Sequence, residues 1–167
     1  MLRRCVFILG LLLSLTASSQ TYYIVRHAEK AAVNGNTNMM ANDPPLTDAG
    51  KARAEALKEL LKNEDIGHIF STNTLRTRST AEPLSKHSGI SIETYGPRPD
   101  AAFIQQLKGL KKNVVIVGHS NTIDDIVNML CGEQKVHADI EDPVYDNLFV
   151  VTIKDGKAVF EGKKYGN

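Results

Sequence analysis

Several features that define other protein classes are scarce or missing in this sequence of 167 residues. It has two cysteines, too few for a disulfide framework, and its length suffices to bury a core without one. Its 20 basic and 19 acidic residues leave no basic excess, so no nucleic-acid partner is expected. No apolar run reaches the roughly 18 to 20 residues needed to cross a bilayer, so no stable membrane anchor is expected either.

The N-terminal residues have the pattern of a cleavable signal peptide. Arg3 and Arg4 form a positively charged start, Val6 to Leu15 form an apolar stretch, and Ala17 and Ser19 are the small residues that precede a cleavage site. An N-terminal helix or a short anchor is the alternative, but the stretch is short and small polar residues follow it. The pattern predicts a signal peptide over residues 1–19, a mature domain over 20–167, and a periplasmic or secreted location.

The rest of the chain alternates strand-like and helix-like segments, without repeats or linkers. The composition and spacing of the apolar residues predict strands and helices in turn, at 21–25, 49–61, 66–71, 76–87, 90–94, 101–110, 114–117 and 123–130. The helix over 76–87 is expected either to break near Pro83 or to start before it. A hairpin over 147–153 and 157–160 ends the chain. This order predicts the α/β class: a single-domain, three-layer α/β/α sandwich with a mostly parallel sheet.

Basic side chains and histidines follow three of the predicted strands. Arg26-His27 follows the first strand, Arg76 follows the second, and His119 follows the buried run at 114–117. Ligands bind at the carboxyl ends of the strands in such sheets, so these side chains are expected to converge. Arginine recognises phosphate through two donors and stays charged, and neutral histidine is a competent nucleophile. The sequence therefore predicts a site for a phosphoryl group.

The segments that carry these residues resemble the motifs of a known family. The chain is similar, in order, to the Arg-His-Gly motif, the Leu-Thr-x-x-Gly helix start, the Ser-x-x-x-x-Arg-x-x-x-Thr-Ala-Glu segment and the late Val-x-His motif of the histidine phosphatase superfamily, at 23–29, 46–50, 71–82 and 117–120. Ala28 replaces the glycine of the first motif, as in small phosphohistidine-phosphatase-like members of branch 1. The resemblance runs from Tyr22 to Val151 and implies a phosphoglycerate mutase-like fold.

The resemblance implies a role for each matching residue. His27 matches the nucleophile that forms a phosphohistidine intermediate. Arg26, Arg76 and His119 match the residues that bind the phosphoryl oxygens, and His119 is counted among the catalytic residues as well. Because such a reaction depends on positioning and electrostatic stabilisation, no metal or cofactor is expected, and the partner is a small phosphorylated substrate.

The general acid is the least certain part of the pattern. Family phosphatases commonly use a carboxylate from the segment after the third strand, and Asp100 is the candidate there. The alternative is that Asp100 only caps the helix that begins after it. Glu93 is a poorer candidate because it lies in the strand. An asparagine is also expected near the phosphate, but neither Asn34 nor Asn36 has the usual spacing from the first motif.

Three other functions are alternatives to an exported phosphatase that hydrolyses phosphomonoesters. A metal-dependent hydrolase is disfavoured because the chain has no His-x-His or His-Glu-x-x-His spacing. A mutase is disfavoured because the chain lacks the length for the insertions that retain a bisphosphorylated substrate. A catalytically idle module that binds a phosphorylated ligand or a partner protein remains the alternative from a different class.

Overall fold

The computed structural model describes residues 19–32 and 43–166. These residues form six strands and four helices in the order β1 (Gln20–Arg26), α1 (Asp48–Leu61), β2 (Ile66–Thr72), α2 (Leu75–Ser88), β3 (Ile92–Tyr95), α3 (Ala101–Gly109), β4 (Asn113–Gly118), α4 (Ile123–Cys131), β5 (Asn147–Lys154) and β6 (Lys157–Lys164). None of these helices is long and apolar enough to cross a membrane. The predicted signal peptide, except for its last residue, lies outside the described residues, as do Asn34 and Asn36.

The six strands form one mostly parallel sheet in the order β3-β2-β4-β1-β5-β6. Strands β3, β2, β4 and β1 run parallel to their neighbours, and β5 and β6 pair antiparallel with β1 and with each other. In the register of β1 against β4, Arg26 lies beside Gly118. The residues that follow these two strands therefore emerge together at one edge of the sheet.

Helices cover both faces of the sheet, as the alternating pattern predicts. On one face, α3 and α4 pack on the side chains of Tyr22, Ile24 and their neighbours in β2, β4 and β5. On the other face, α1 and α2 pack on Val25 and on the alternate residues of the same strands. Strand β4 is buried on both faces from Val114 to Gly118, which explains its continuous apolar run. The predicted three-layer α/β/α sandwich is confirmed.

The boundaries of the elements follow from local signals in some cases and from packing or strand pairing in others. Thr47 caps α1, because its Oγ1 accepts from the backbone N–H of Gly50 at 3.1 Å. Helix α2 starts before Pro83 and continues through it without a break, since proline removes only one helical hydrogen bond and the buried Ala81 and Leu84 hold both parts against the sheet. Strand β6 extends to Lys164, beyond its apolar residues, because it pairs with β5 along its whole length.

Candidate active site

The predicted catalytic segments that follow β1 and β4 lie side by side. The backbone N–H of His27 donates to the Gly118 carbonyl at 2.9 Å, which continues the pairing of the two strands beyond Arg26. The ring centroids of His27 and His119 are 5.6 Å apart. The two segments therefore meet at the edge of the sheet where the carboxyl ends of β1 and β4 lie.

His27 is buried as a neutral imidazole in one defined tautomer. Its Nδ1 lies 2.8 Å from the carbonyl oxygen of Ala28, and because a carbonyl only accepts, Nδ1 carries the proton. The Ala28 backbone N–H donates in turn to Thr80 Oγ1 at 2.9 Å, which fixes this peptide. Burial, together with the charges of Arg26 and Arg76, lowers the pKa of His27 to about 3. Its Nε2 therefore keeps a free lone pair at neutral pH.

Arg26 is enclosed by the loop between α4 and β5. Its side chain is 2% exposed, and Nη1 donates to the carbonyl oxygens of Glu141 and Val144 at 3.3 and 3.1 Å. Its Nη2 is paired with the exposed carboxylate of Asp142. The ring of Tyr145 lies 4.2 Å from the guanidinium carbon and also faces His27, at 5.9 Å between centroids. This loop therefore forms one wall of the site.

Arg76 approaches from the first turn of α2. Its Nη1 donates to Asp43 Oδ1 at 3.2 Å, and the other oxygen of Asp43 accepts from the backbone N–H of Leu75 at 2.7 Å. The Nη2 group of Arg76 lies 3.5 Å from His119 Nδ1. The second arginine is thus held within reach of the second histidine.

His119 is also held neutral. Its Nε2 lies 2.9 Å from Thr72 Oγ1, at the end of β2. Burial, followed by the charges of Arg76 and Arg26, lowers the pKa of His119 to about 4. At neutral pH both histidines are therefore uncharged, and the arginines supply the positive charge of the site.

Two donors of the site lack an acceptor among the described residues. The Nε–H groups of Arg26 and Arg76 are buried and make no hydrogen bond there. A buried guanidinium donor without an acceptor is unfavourable, and an oxyanion that brings several acceptors relieves it. The two orphaned donors fit a tetrahedral anion such as phosphate.

Comparison with known proteins shows which family the first part of the chain resembles. Residues 22–96 match the sequence model of the histidine phosphatase superfamily (branch 1). The probable phosphoglycerate mutase GpmB of Photorhabdus laumondii is 36% identical over 70 residues, which cover 42% of this chain and 33% of that protein. The match to the superfamily model covers 75 of the 167 residues, including Arg26, His27 and Arg76, and it ends at residue 96, before His119. The segment similar to the Photorhabdus protein is only a third of that protein's length.

Solved structures of other proteins share the fold over most of the chain. The protein histidine phosphatase SixA, solved with tungstate, has a TM-score of 0.66 and 21% identity, covering 86% of this chain and 96% of its own. The phosphoglycerate mutase of Bacillus anthracis has a TM-score of 0.56 and 15% identity, covering 90% and 94%. The phosphoglycerate mutase-like fold expected from the motifs is therefore confirmed.

The two carboxylates considered as general acids have other partners in the structure. Asp100 is exposed, and its Oδ1 accepts from the Phe103 backbone N–H at 2.8 Å, which is the capping geometry weighed as the alternative role. Glu93 lies on the outer strand β3 and accepts from His68 Nδ1 at 3.1 Å. In the part of the chain that the structure describes, no hydrogen bond joins Asp100 to His27 or to either arginine.

Three polar residues of the site were not predicted from the sequence. Thr72 lies within the motif at 71–82, next to Ser71, but nothing in a linear pattern shows that its hydroxyl meets His119. Asp43 and Asp142 come from loops whose paths no periodicity fixes. Their proximity to Pro44 and Pro143 marks each as part of a turn, which is the only signal they carry.

Proposed function

We propose that the chain is a metal-independent phosphatase that hydrolyses phosphomonoesters through a phosphohistidine on His27. The observation that carries this proposal is the placement of one neutral, buried histidine beside two arginines with orphaned buried donors. A nucleophile with a free lone pair and positively charged donors that can bind the phosphoryl oxygens are the two requirements of this chemistry. The similarity of residues 22–96 to the histidine phosphatase superfamily supports it.

The proposed reaction has two displacements at phosphorus. His27 Nε2 attacks the phosphorus atom, the P–N bond forms, and the bond to the ester oxygen breaks, so the alcohol leaves with a proton from an acid or from water. Water then attacks the phosphohistidine, which releases inorganic phosphate and restores the imidazole. Arg26 and Arg76 stabilise the charge on the phosphoryl oxygens in both steps.

In this scheme, the phosphoryl group of the substrate replaces carboxylates as the partner of the two arginines. Asp142 pairs with Arg26 and Asp43 pairs with Arg76, both at guanidinium nitrogens that a phosphoryl group would also contact. Asp142 is 69% exposed, so its pairing is weak and reversible. A dianionic phosphoryl group, which also satisfies the two orphaned Nε–H groups, can therefore displace it.

The His27→Ala variant tests this proposal. Loss of the attacking atom is expected to lower kcat for an activated aryl phosphate by about 10³-fold or more, with EDTA leaving the wild-type rate unchanged. His87→Ala is the matched control, because His87 is exposed in the last turn of α2. Rapid denaturation during turnover should trap an acid-labile phosphoryl group on His27. Unchanged hydrolysis by His27→Ala would contradict the proposal.

Two other functions give different results in the same assay. The relative named as a phosphoglycerate mutase makes transfer between substrate hydroxyls the second candidate, and it predicts isomerised phosphoglycerate in place of free phosphate. An idle binding module predicts vanadate binding without turnover. A screen of phosphomonoesters that measures both phosphate release and isomer formation separates all three.

Export belongs to the proposal as well. The predicted signal peptide over residues 1–19 supports a periplasmic or secreted enzyme, which would act on small phosphate esters outside the cytoplasm.

A further inference from the structure

A cluster of threonine hydroxyls lies behind His119, on the side of Thr72. Thr72 ends β2, and Thr74 and Thr77 belong to the start of α2. Thr72 is 2% exposed and Thr77 is fully buried, so neither hydroxyl exchanges freely with water. None of these hydroxyls has a role in the scheme proposed above.

The hydrogen bonds of Thr77 fix the direction of its proton. Its Oγ1 lies 2.9 Å from the Thr72 carbonyl oxygen and 3.0 Å from the Thr74 carbonyl oxygen, and both can only accept. The single hydroxyl proton of Thr77 is therefore committed to these carbonyls, and its lone pairs remain free to accept. The Thr72 hydroxyl, 3.0 Å away, donates to one of them.

The orientation of Thr72 then decides the protonation of His119. Because the only proton of Thr72 is given to Thr77, its oxygen can only accept from His119 Nε2 at 2.9 Å. Nε2 must therefore carry the proton in the neutral ring. Nδ1 is left unprotonated, and it is the nitrogen that faces Arg76 Nη2 at 3.5 Å.

We propose that Thr72 and Thr77 are positioning residues that hold His119 in the Nε2–H tautomer. The ring can then gain or lose a proton only at Nδ1, on the side of Arg76 and away from the threonines. His27 is held in the opposite tautomer, with the proton on Nδ1, by the Ala28 carbonyl. The two neighbouring histidines are thus fixed in complementary states: one exposes a lone pair at Nε2, and the other gains its proton at Nδ1.

The catalytic meaning of this arrangement rests on the proposed phosphatase activity, but the tautomers do not. On binding a phosphoryl group, a proton taken up at His119 Nδ1 would be donated to a phosphoryl oxygen, while Thr72 continues to accept from Nε2. A partner that fixes one ring nitrogen sets the role of the other. Without the Thr72 oxygen, neutral His119 is free to populate both tautomers.

Nitrogen NMR of histidine-labelled full-length protein tests the proposal directly, without turnover. In the wild type, His119 should show a protonated Nε2 and an unprotonated Nδ1, and His27 should show the reverse. The signals are assigned from spectra of His119→Gln and His27→Gln. A wild-type spectrum with His119 protonated at Nδ1 would overturn the proposal.

Thr72→Val removes the hydroxyl with almost no change in shape. It should move the His119 signals towards a mixture of tautomers and leave the His27 signals in place. Orthovanadate binding should weaken about two- to tenfold, which is the loss expected for one hydrogen bond. Thr72→Ser should restore both readouts. Thr152→Val is the matched control, since Thr152 lies on β5 and pairs with Thr21, and it should change neither.

Each outcome has a separate meaning. Wild-type His119 signals in Thr72→Val would refute the positioning role even if activity falls, because a merely structural role predicts that pattern. If the tautomers are as stated but the wild type hydrolyses no phosphate ester, the proposed function fails and the assignment of Thr72 stands. Should Thr72→Val fail to fold, Thr77→Val provides a second comparison. It removes the acceptor of the Thr72 proton, together with the hydrogen bonds of Thr77 to two carbonyls, so Thr72 can donate to His119 Nε2 and the His119 signals should move towards the Nδ1–H tautomer; unchanged His119 signals would refute the positioning role.

Discussion

A single side chain can serve a structural and a chemical need, and in Asp100 the two can be separated. Its carboxylate caps α3, and the family motifs make it the candidate proton donor to the leaving group. Asp100→Asn preserves the cap, since asparagine is an equally good N-cap residue, but it removes the acid. The variant should therefore slow alkyl phosphates by about 10²-fold or more and activated aryl phosphates far less.

The comparison of the two substrate classes is the internal control of this experiment. A good leaving group departs without a proton, so a general loss of structure would slow both classes alike. Equal rates for Asp100→Asn and wild type on an alkyl phosphate would refute the acid role. The assignment of His27 would remain, because it does not depend on how the leaving group is protonated.

Between secondary-structure elements, one contact that shapes the site is the approach of α1 to the residues after His27, the proposed nucleophile. The Thr47 backbone N–H donates to the Glu29 carbonyl at 2.9 Å, and Arg53 holds the Glu29 carboxylate through Nε and Nη2, at 2.7 to 3.0 Å. A Cβ at Gly50 would lie 2.2 Å from the same carbonyl oxygen. Only glycine allows α1 to lie this close.

Gly50→Ala should therefore push α1 away from the Glu29 backbone. Overpacking of this kind typically lowers the free energy of unfolding by about 1 to 3 kcal/mol, which urea unfolding would measure. We also expect a lower kcat, because a shift of the Glu29 backbone would disturb His27, the proposed nucleophile, which lies just before it in the chain. Gly109→Ala is the matched control: Gly109 is helical too, nothing lies near its Cβ position, and alanine there should be neutral or stabilising. Equal stability of the two variants would contradict this account.

Helices and strands were predictable where a local residue pattern determines them. The candidate site residues were predictable where they directly follow a predicted strand. Strand β4 and helix α4 follow from apolar periodicity, and the placement of His27 beside His119 follows from the pairing of β1 with β4. The extension of β6 to Lys164 did not follow, because it depends on the partner strand and not on its own residues. The same limit hid Asp142 and Thr72: their contacts join residues far apart in the chain, and no spacing encodes them.

For the whole molecule, burying neutral histidines makes stability depend on pH. The pKa of His27 is about 3 in the fold, against about 6.5 in an unfolded chain. Below pH 6.5 the unfolded state takes up a proton that the folded state excludes. The stabilisation from the neutral ring is therefore complete above about pH 6.5 and is lost progressively as the pH falls towards 3.

This linkage predicts a measurable slope in mildly acidic solution. The free energy of unfolding should decrease from about pH 6.5 to about pH 5, with His27 contributing up to about 1.4 kcal/mol for each pH unit. Urea unfolding at several pH values measures the slope, and His27→Gln should reduce it because glutamine does not titrate. His87→Gln, which changes an exposed histidine of α2, should leave the slope as in the wild type. An identical slope in His27→Gln would mean that the protonation of this buried ring does not limit the stability of the fold, and that the neutral nucleophile must be explained in another way.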